Sequence, residues 1–243
     1  MATEMYFRNI CFNPIDNIDG FIFVSKFSES KHIEFNSRFM QTQNLQIYNF
    51  TQGEDSCIVR KGQYYLYYGR LSEEKGLFTL IKTFKEKKQL SLCIVGTGPI
   101  EPEIKDLISR ENIENIKMLG FKSGETLNEI IKNAKCVIVP SECYENNPMT
   151  IIESYSYSTP VIGAYIGGVP EIIIDGETGY VFESGNCQSL SNAVDKFEEI
   201  SDEDYVKYSQ NAFKFYCDNF HMGSYYKRLI QFYEQVICNY HKK

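Results

Sequence analysis

From Tyr64 onward one pattern repeats: a short apolar run, a turn containing Gly, then about ten residues with helical periodicity. Strand-type runs fall at 64–68, 90–95, 115–119, 136–139, 160–163 and 180–182. Helical segments fall at 76–87, 101–110, 124–133, from Pro148, at 171–174, and over most of 186–240 with a break near 219–223. Strands that alternate with helices bury both kinds of element best as a parallel sheet with helices on both faces. The expected fold class is therefore α/β. Ligands of such sheets bind at the carboxyl ends of the strands, in the crevice where strand order reverses.

The first sixty residues are less regular. Asn13-Pro14 and Asp19-Gly20 are turn signals. A strand is expected at 21–24, a helix at 29–41 and a second strand at 45–48. The polar stretch 49–62, with Gly53 and Gly62, reads as a linker. This divides the chain into a small N-terminal part (1–60), a sheet domain (61–220) and a final helix (221–243). There is no internal repeat.

Composition narrows the function. A net charge of −7 leaves no sheath of Lys and Arg for a nucleic-acid backbone. The eight Cys form no Cys-x-x-Cys pair, which fits a reducing cytoplasm better than a disulfide scaffold. None of the three His (32, 221, 241) has a second plausible ligand near it in sequence, so no metal site is expected. No run approaches the ~20 apolar residues that span a bilayer, and no signal-peptide pattern is visible.

The chemistry concentrates at Pro140-Ser141-Glu142-Cys143-Tyr144-Glu145-Asn146-Asn147-Pro148-Met149-Thr150-Ile151-Ile152-Glu153. It follows the 136–139 strand, and Pro148 suits the first position of a helix, where a missing N–H costs nothing. Glu145 then sits in the loop and Glu153 on the second helical turn. A helix N-terminus can hold a phosphate. A carboxylate accepts hydrogen bonds from two neighbouring hydroxyls, as a ribose presents them. Taken alone, two Glu at this spacing also fit an ordinary solvated surface.

The other distinctive groups also follow strands, and each has two readings. Arg70 and Lys75, after the 64–68 strand, suit a diphosphate or are plain surface cations. Gly96-Thr97-Gly98 either lets a ligand approach the backbone or makes a tight turn. Phe121, after Gly120, either flanks a nucleobase or packs in the core or at its rim. Gly167 and Gly168 offer backbone N–H groups to an anion or form a simple turn.

Taken in order, these segments resemble the donor-binding half of a retaining glycosyltransferase of the GT-B architecture, family 4. The matching pieces are Gly-Arg-Leu…Lys-Gly (69–76), Val-Gly-Thr-Gly-Pro (95–99), Leu-Gly-Phe (119–121) and the Pro-Ser…Glu…Glu run (140–153). Thr-Pro-Val-Ile-Gly (159–163), Gly-Gly-Val-Pro-Glu (167–171) and Asp-Gly-Glu-Thr-Gly (175–179) complete the series. The resemblance implies a Rossmann-like domain that binds a UDP- or GDP-sugar as substrate, with no cofactor and no metal. It assigns Arg70 and Lys75 to the diphosphate, Glu145 to the transferred sugar and Glu153 to the ribose. The N–H groups around Asn147, Pro148, Met149 and Thr150 would add phosphate contacts, and Gly96, Gly98, Gly120, Phe121, Gly167 and Gly168 would line the donor.

Two departures stand out. Ser154-Tyr155-Ser156-Tyr157-Ser158 replaces the family's usual small residues after the second Glu. The acceptor domain that precedes the donor domain in the family is reduced here to residues 21–50, which resemble its last strand and helix plus the crossover; the family's glycine-rich loop and His have no counterpart. A truncated piece, a split enzyme with a separate acceptor-domain protein, and a natural short form all fit. The implied activities are glycosyl transfer with retention, donor binding without catalysis, or nucleotide-sugar 2-epimerisation. Tyr225, Leu229, Phe232, Tyr233 and Val236, beside Lys227 and Arg228, form a stripe that fits a packed helix or, at most, peripheral membrane contact.

Overall fold

The computed structural model describes residues 14–54 and 56–241. Asn13 of the first turn signal and Cys11 lie outside the described residues.

Six strands form one parallel sheet: β3 (Tyr64–Tyr68), β4 (Ser91–Val95), β5 (Ile116–Gly120), β6 (Cys136–Val139), β7 (Val161–Ala164) and β8 (Gly179–Phe182). Their spatial order is β5-β4-β3-β6-β7-β8. The chain starts at β3, steps outward to β5, returns to pair β6 with β3, and steps outward the other way. The order thus reverses between β3 and β6, which opens a crevice above their carboxyl ends.

Alternation along the strands explains the two-sided core. Tyr65 and Tyr67 of β3 enter one apolar cluster. Leu66 and Tyr68 enter the other. The first cluster is closed by α2 (Leu77–Glu86), α3 (Glu101–Arg110) and α7 (Cys187–Glu198). The second is closed by α4 (Gly124–Lys132), α5 (Met149–Ser156) and α6 (Val169–Ile172). Helix α8 (Asp202–Asn219) serves both layers, with Tyr205 and Tyr208 in one and Ala212 and Tyr216 in the other.

A separate two-stranded parallel sheet, β1 (Gly20–Phe23) and β2 (Gln43–Gln46), is bridged by α1 (Lys26–Phe35). The last helix, α9 (Met222–Tyr240), comes back to it. Arg228 donates to the Gln46 carbonyl at 2.6 Å and Asn239 to the Gln43 side chain at 2.7 Å. Phe232 is buried against Gly20, where a Cβ would crowd its ring.

Several boundaries differ from the sequence reading. The helix expected at 29–41 starts at Lys26, because Ser25 accepts the Ser28 N–H and caps it. It stops at Asn36, which is extended, and 37–41 is a 3-10 turn. The strand expected at 45–48 pairs over Gln43–Gln46. Pro148 is the cap, not the first helical residue: its ψ of 116° is extended and its carbonyl accepts the Ile151 N–H. The short helix expected at 171–174 is Val169–Ile172. Of the C-terminal stripe, Tyr225, Leu229, Phe232 and Val236 face inward to differing degrees, whereas Tyr233 is exposed.

Candidate functional site

The loop after β3 is pinned from several sides. The Gly69 N–H donates to Val95 and the Leu71 N–H to Thr97, at 3.0 and 2.9 Å. Tyr67 donates its hydroxyl to the Arg70 carbonyl at 2.7 Å. A Cβ on Gly96 or Gly98 would overlap the carbonyls of Gly69 or Leu71, so this crossing of two loops needs glycine. The Arg70 backbone is therefore fixed, while its guanidinium is exposed and has no hydrogen bond or ion pair among the described residues.

Lys75 ends a 3-10 turn, Glu73–Lys75, that leads into a left-handed Gly76 (φ 68°). A side chain at Gly76 would strike the Pro140 carbonyl. That close approach, with the Glu142 N–H donating to Glu74 at 2.8 Å, joins the β3 and β6 loops. Lys75 Nζ thereby comes within 2.5 Å of Glu145 Oε1. The buried Ser141 hydroxyl donates to the same oxygen at 2.7 Å. Glu145 Oε2 carries no bond among the described residues.

Arg70, Lys75, Glu145, Met149 and Thr150 line one cavity of about 300 Å³ at the β3–β6 crevice. Helix α5 begins there, and the N–H groups of Met149 and Thr150 have no acceptor among the described residues. An adjoining cavity of about 370 Å³ shares Tyr68, Gly69 and Arg70, and adds Gly96, Thr97, Phe121, Lys122 and Leu127. Phe121 is 67% exposed, which removes the reading as core. A larger hollow, about 530 Å³, lies around Lys85, Lys88 and Asn112. Its Lys85 is already paired with Glu111 at 3.0 Å, and it is away from the strand-order reversal, so the smaller pair of cavities is the better candidate.

Glu153 does not line either cavity. It meets them through Tyr68, whose hydroxyl donates to the Thr150 carbonyl at 2.7 Å. Burial pushes the Glu153 carboxyl above its usual value, and the nearby Tyr68 hydroxyl partly offsets this. Asn147 is buried and outside the cavity lining; its Oδ1 accepts the Asn49 N–H at 2.7 Å. Pro148 lines the first cavity but offers no N–H. Gly98, Gly120, Gly167 and Gly168 are not lining residues either. The Gly168 N–H is already given to the Glu145 carbonyl at 2.6 Å, so it is unavailable to an anion. The glycine pair instead lets this loop lie against the Glu145–Asn146 backbone.

Sequence reasoning missed Tyr68, Ser141, Thr97 and Lys122. The first two are buried, Tyr68 just before one quoted motif and Ser141 inside another, and only their hydrogen bonds distinguish them from packing. Among the described residues, no group of three or more His, Cys, Asp and Glu could hold a metal ion, and no helix is long and apolar enough to cross a membrane.

Residues 52–215 match the family described as glycosyl transferases group 1. The chain belongs to that family. An uncharacterized glycosyltransferase of Methanocaldococcus jannaschii is 28% identical over 79% of this chain and 52% of its own length. The amylovoran biosynthesis glycosyltransferase AmsK of Erwinia amylovora is 29% identical over 50% of this chain and 32% of its own. This chain thus spans about a third to a half of those relatives. In fold it is similar to HepE of Anabaena, solved in complex with UDP and glucose, with a TM-score of 0.78 and 21% identity over 93% of this chain and 66% of HepE. The sucrose-phosphate synthase of Thermosynechococcus elongatus gives 0.77 and 21%, over 93% and 60%. These structural likenesses show the fold, a parallel sheet flanked by helices as in GT-B domains.

Proposed function

We propose that this chain is the donor-binding half of a family 4 transferase that moves a sugar from a UDP- or GDP-sugar to a hydroxyl acceptor with retention. The observation that carries the reading is the convergence of Arg70, Lys75, Glu145 and the free N–H groups at the start of α5 on one cavity. The guanidinium, the ammonium and two aligned N–H groups oppose the charge that grows on a departing diphosphate. They do this without a metal. Lys75 pairs with Glu145; a diphosphate would compete for the ammonium while Ser141 keeps the carboxylate in place. The unbonded Oε2 of Glu145 is the atom offered to the sugar. Phe121 borders the space for the base, and Glu153, beside Tyr68, would take the ribose hydroxyls. HepE, bound to UDP and glucose on the same fold, supports a nucleotide-sugar donor.

Isothermal titration with uridine and guanosine diphosphates is the test. One of the two should bind, and Arg70→Ala should weaken it. A folded sample that takes up neither nucleotide at millimolar concentration would sink the proposal.

A second reading concerns the acceptor. Parallel sheets are normally covered on both faces, and two strands alone are marginal. The β1–β2 sheet leaves Ile22 36% exposed. This favours acceptor-binding structure beyond the described residues, carried by a longer chain or by a separate protein. Activity that this chain shows as a strict monomer, with no partner added, would exclude the separate-protein form.

A further inference from the structure

We propose that Glu171 is a positioning residue that clasps the N-terminal β1–α1–β2 unit to the sheet domain and carries that attachment to the loop holding Glu145. Helix α1 starts with N–H groups that have no partner inside the helix. Its own cap, Ser25, serves only the Ser28 N–H, at 3.0 Å. The Glu171 carboxylate supplies what Ser25 cannot reach. Oε2 accepts the Lys26 N–H at 2.9 Å, and Oε1 accepts the Phe27 N–H. These are the first two residues of α1, and the partner lies 145 positions away in sequence. A carboxylate there also meets the positive end of the helix dipole. The Tyr48 hydroxyl, just past β2, reaches Oε2 at 3.4 Å. Burial and the Glu171 charge push its pKa up to about 12, so it stays a donor.

Glu171 stands in the single turn of α6, three residues from Gly168. Gly168 donates to the Glu145 carbonyl at 2.6 Å, and a Cβ there would collide with the Asn146 carbonyl and crowd Ser25. Three distant segments thus meet at one glycine. Two further ties join the same loop to the N-terminal part: Asn147 accepts the Asn49 N–H at 2.7 Å, and the Tyr144 and Phe27 rings sit 5.0 Å apart. The loop before α5 is therefore held partly by the unit across from it, and any shift of α1 reaches Glu145 through α6.

Amide hydrogen exchange on the full chain tests this. Glu171→Leu removes both acceptors. Exchange should rise about tenfold at Lys26 and Phe27 and, beyond the helix, at Gly168, bonded to Glu145, and at Asn49, bonded to Asn147. Glu171→Gln keeps one acceptor oxygen and should restore part of the protection. Lys26→Pro reaches the same bond from the other side and guards against a misfolded Leu variant. Proline is tolerated at the first helical position, and Ser25 is already extended (ψ 158°) as the residue before a proline requires. A plain helix cap would raise exchange in α1 alone. The proposal is overturned if Gly168 and Asn49 stay protected in both variants, or if Gln restores nothing. The exchange arm needs no nucleotide, so it stands or falls separately from the donor-binding reading on which its link to catalysis rests.

Discussion

Leu66 in β3 and Ile22 in β1 are both apolar residues in parallel strands, yet Leu66 is fully buried and Ile22 is 36% exposed. The sheet domain is held by two apolar layers, each closed by helices. The β1–α1–β2 unit packs Gly20 on Phe232, and directed bonds from elsewhere orient it: Glu171 to α1, Asn147 to Asn49 just past β2, Arg228 to Gln46 and Asn239 to Gln43. Burial is nondirectional and tolerant of small displacements, whereas hydrogen bonds fix an orientation. One region provides stability. The other is set in place relative to it, next to the loop that carries Glu145.

The sharpest way to break this contrast is a pair of truncations. Leu66→Ala should destabilise the protein by about 3 kcal/mol, since the site cannot collapse inside a two-sided sheet. Phe35→Ala, at a residue 93% exposed, should stay within about 0.5 kcal/mol. Similar losses in urea unfolding would mean that the N-terminal unit has a core of its own weight. Next in size, Arg70→Ala should weaken nucleoside diphosphate binding by about 2 kcal/mol, some tens of fold, with little change in Tm. An equal loss of stability would recast Arg70 as structural.

Ser25→Ala removes the side-chain cap of α1 and should cost about 1 kcal/mol, read as faster exchange at Ser28 with the central strands unaffected. Global unfolding at a lower urea midpoint would instead tie α1 to the main core. The smallest effect concerns Glu153. Its folded carboxyl titrates above the ordinary 4.5, so ionisation at neutral pH costs stability. The folded state then binds its proton more tightly than the unfolded state. The favourable contribution is complete below the unfolded value and fades as pH rises through the folded one. Glu153→Gln should raise Tm at pH 7 by less than about 4 °C and leave it unchanged at pH 3. With the nucleotide-binding reading, parent affinity should also fall on acidification at a midpoint above 4.5, and the Gln variant should lose that step.

The sheet domain was readable because its strands are mostly apolar runs bounded by Gly, Pro or polar residues, and their two-faced burial leaves little freedom in where they begin and end. Tyr64–Tyr68 and Cys136–Val139 are located as expected for that reason. In the N-terminal part the signals are local and weak. Ser25 looked like any serine before the structure showed it accepting from Ser28.

The sequence by itself determined the alternation of strand and helix, and hence a parallel sheet whose loops carry Arg70, Lys75 and Glu145 at one end. Periodicity is a property of neighbours along the chain, and so are turn residues. Only the tertiary structure decided that Lys75 and Ser141 share one oxygen of Glu145, that Asn147 answers Asn49, and that Glu171 caps a helix 145 residues earlier in the chain. Those contacts depend on how loops approach one another across the crevice. That approach is set by strand order and by glycines without side chains to keep the loops apart, neither of which is written in local sequence.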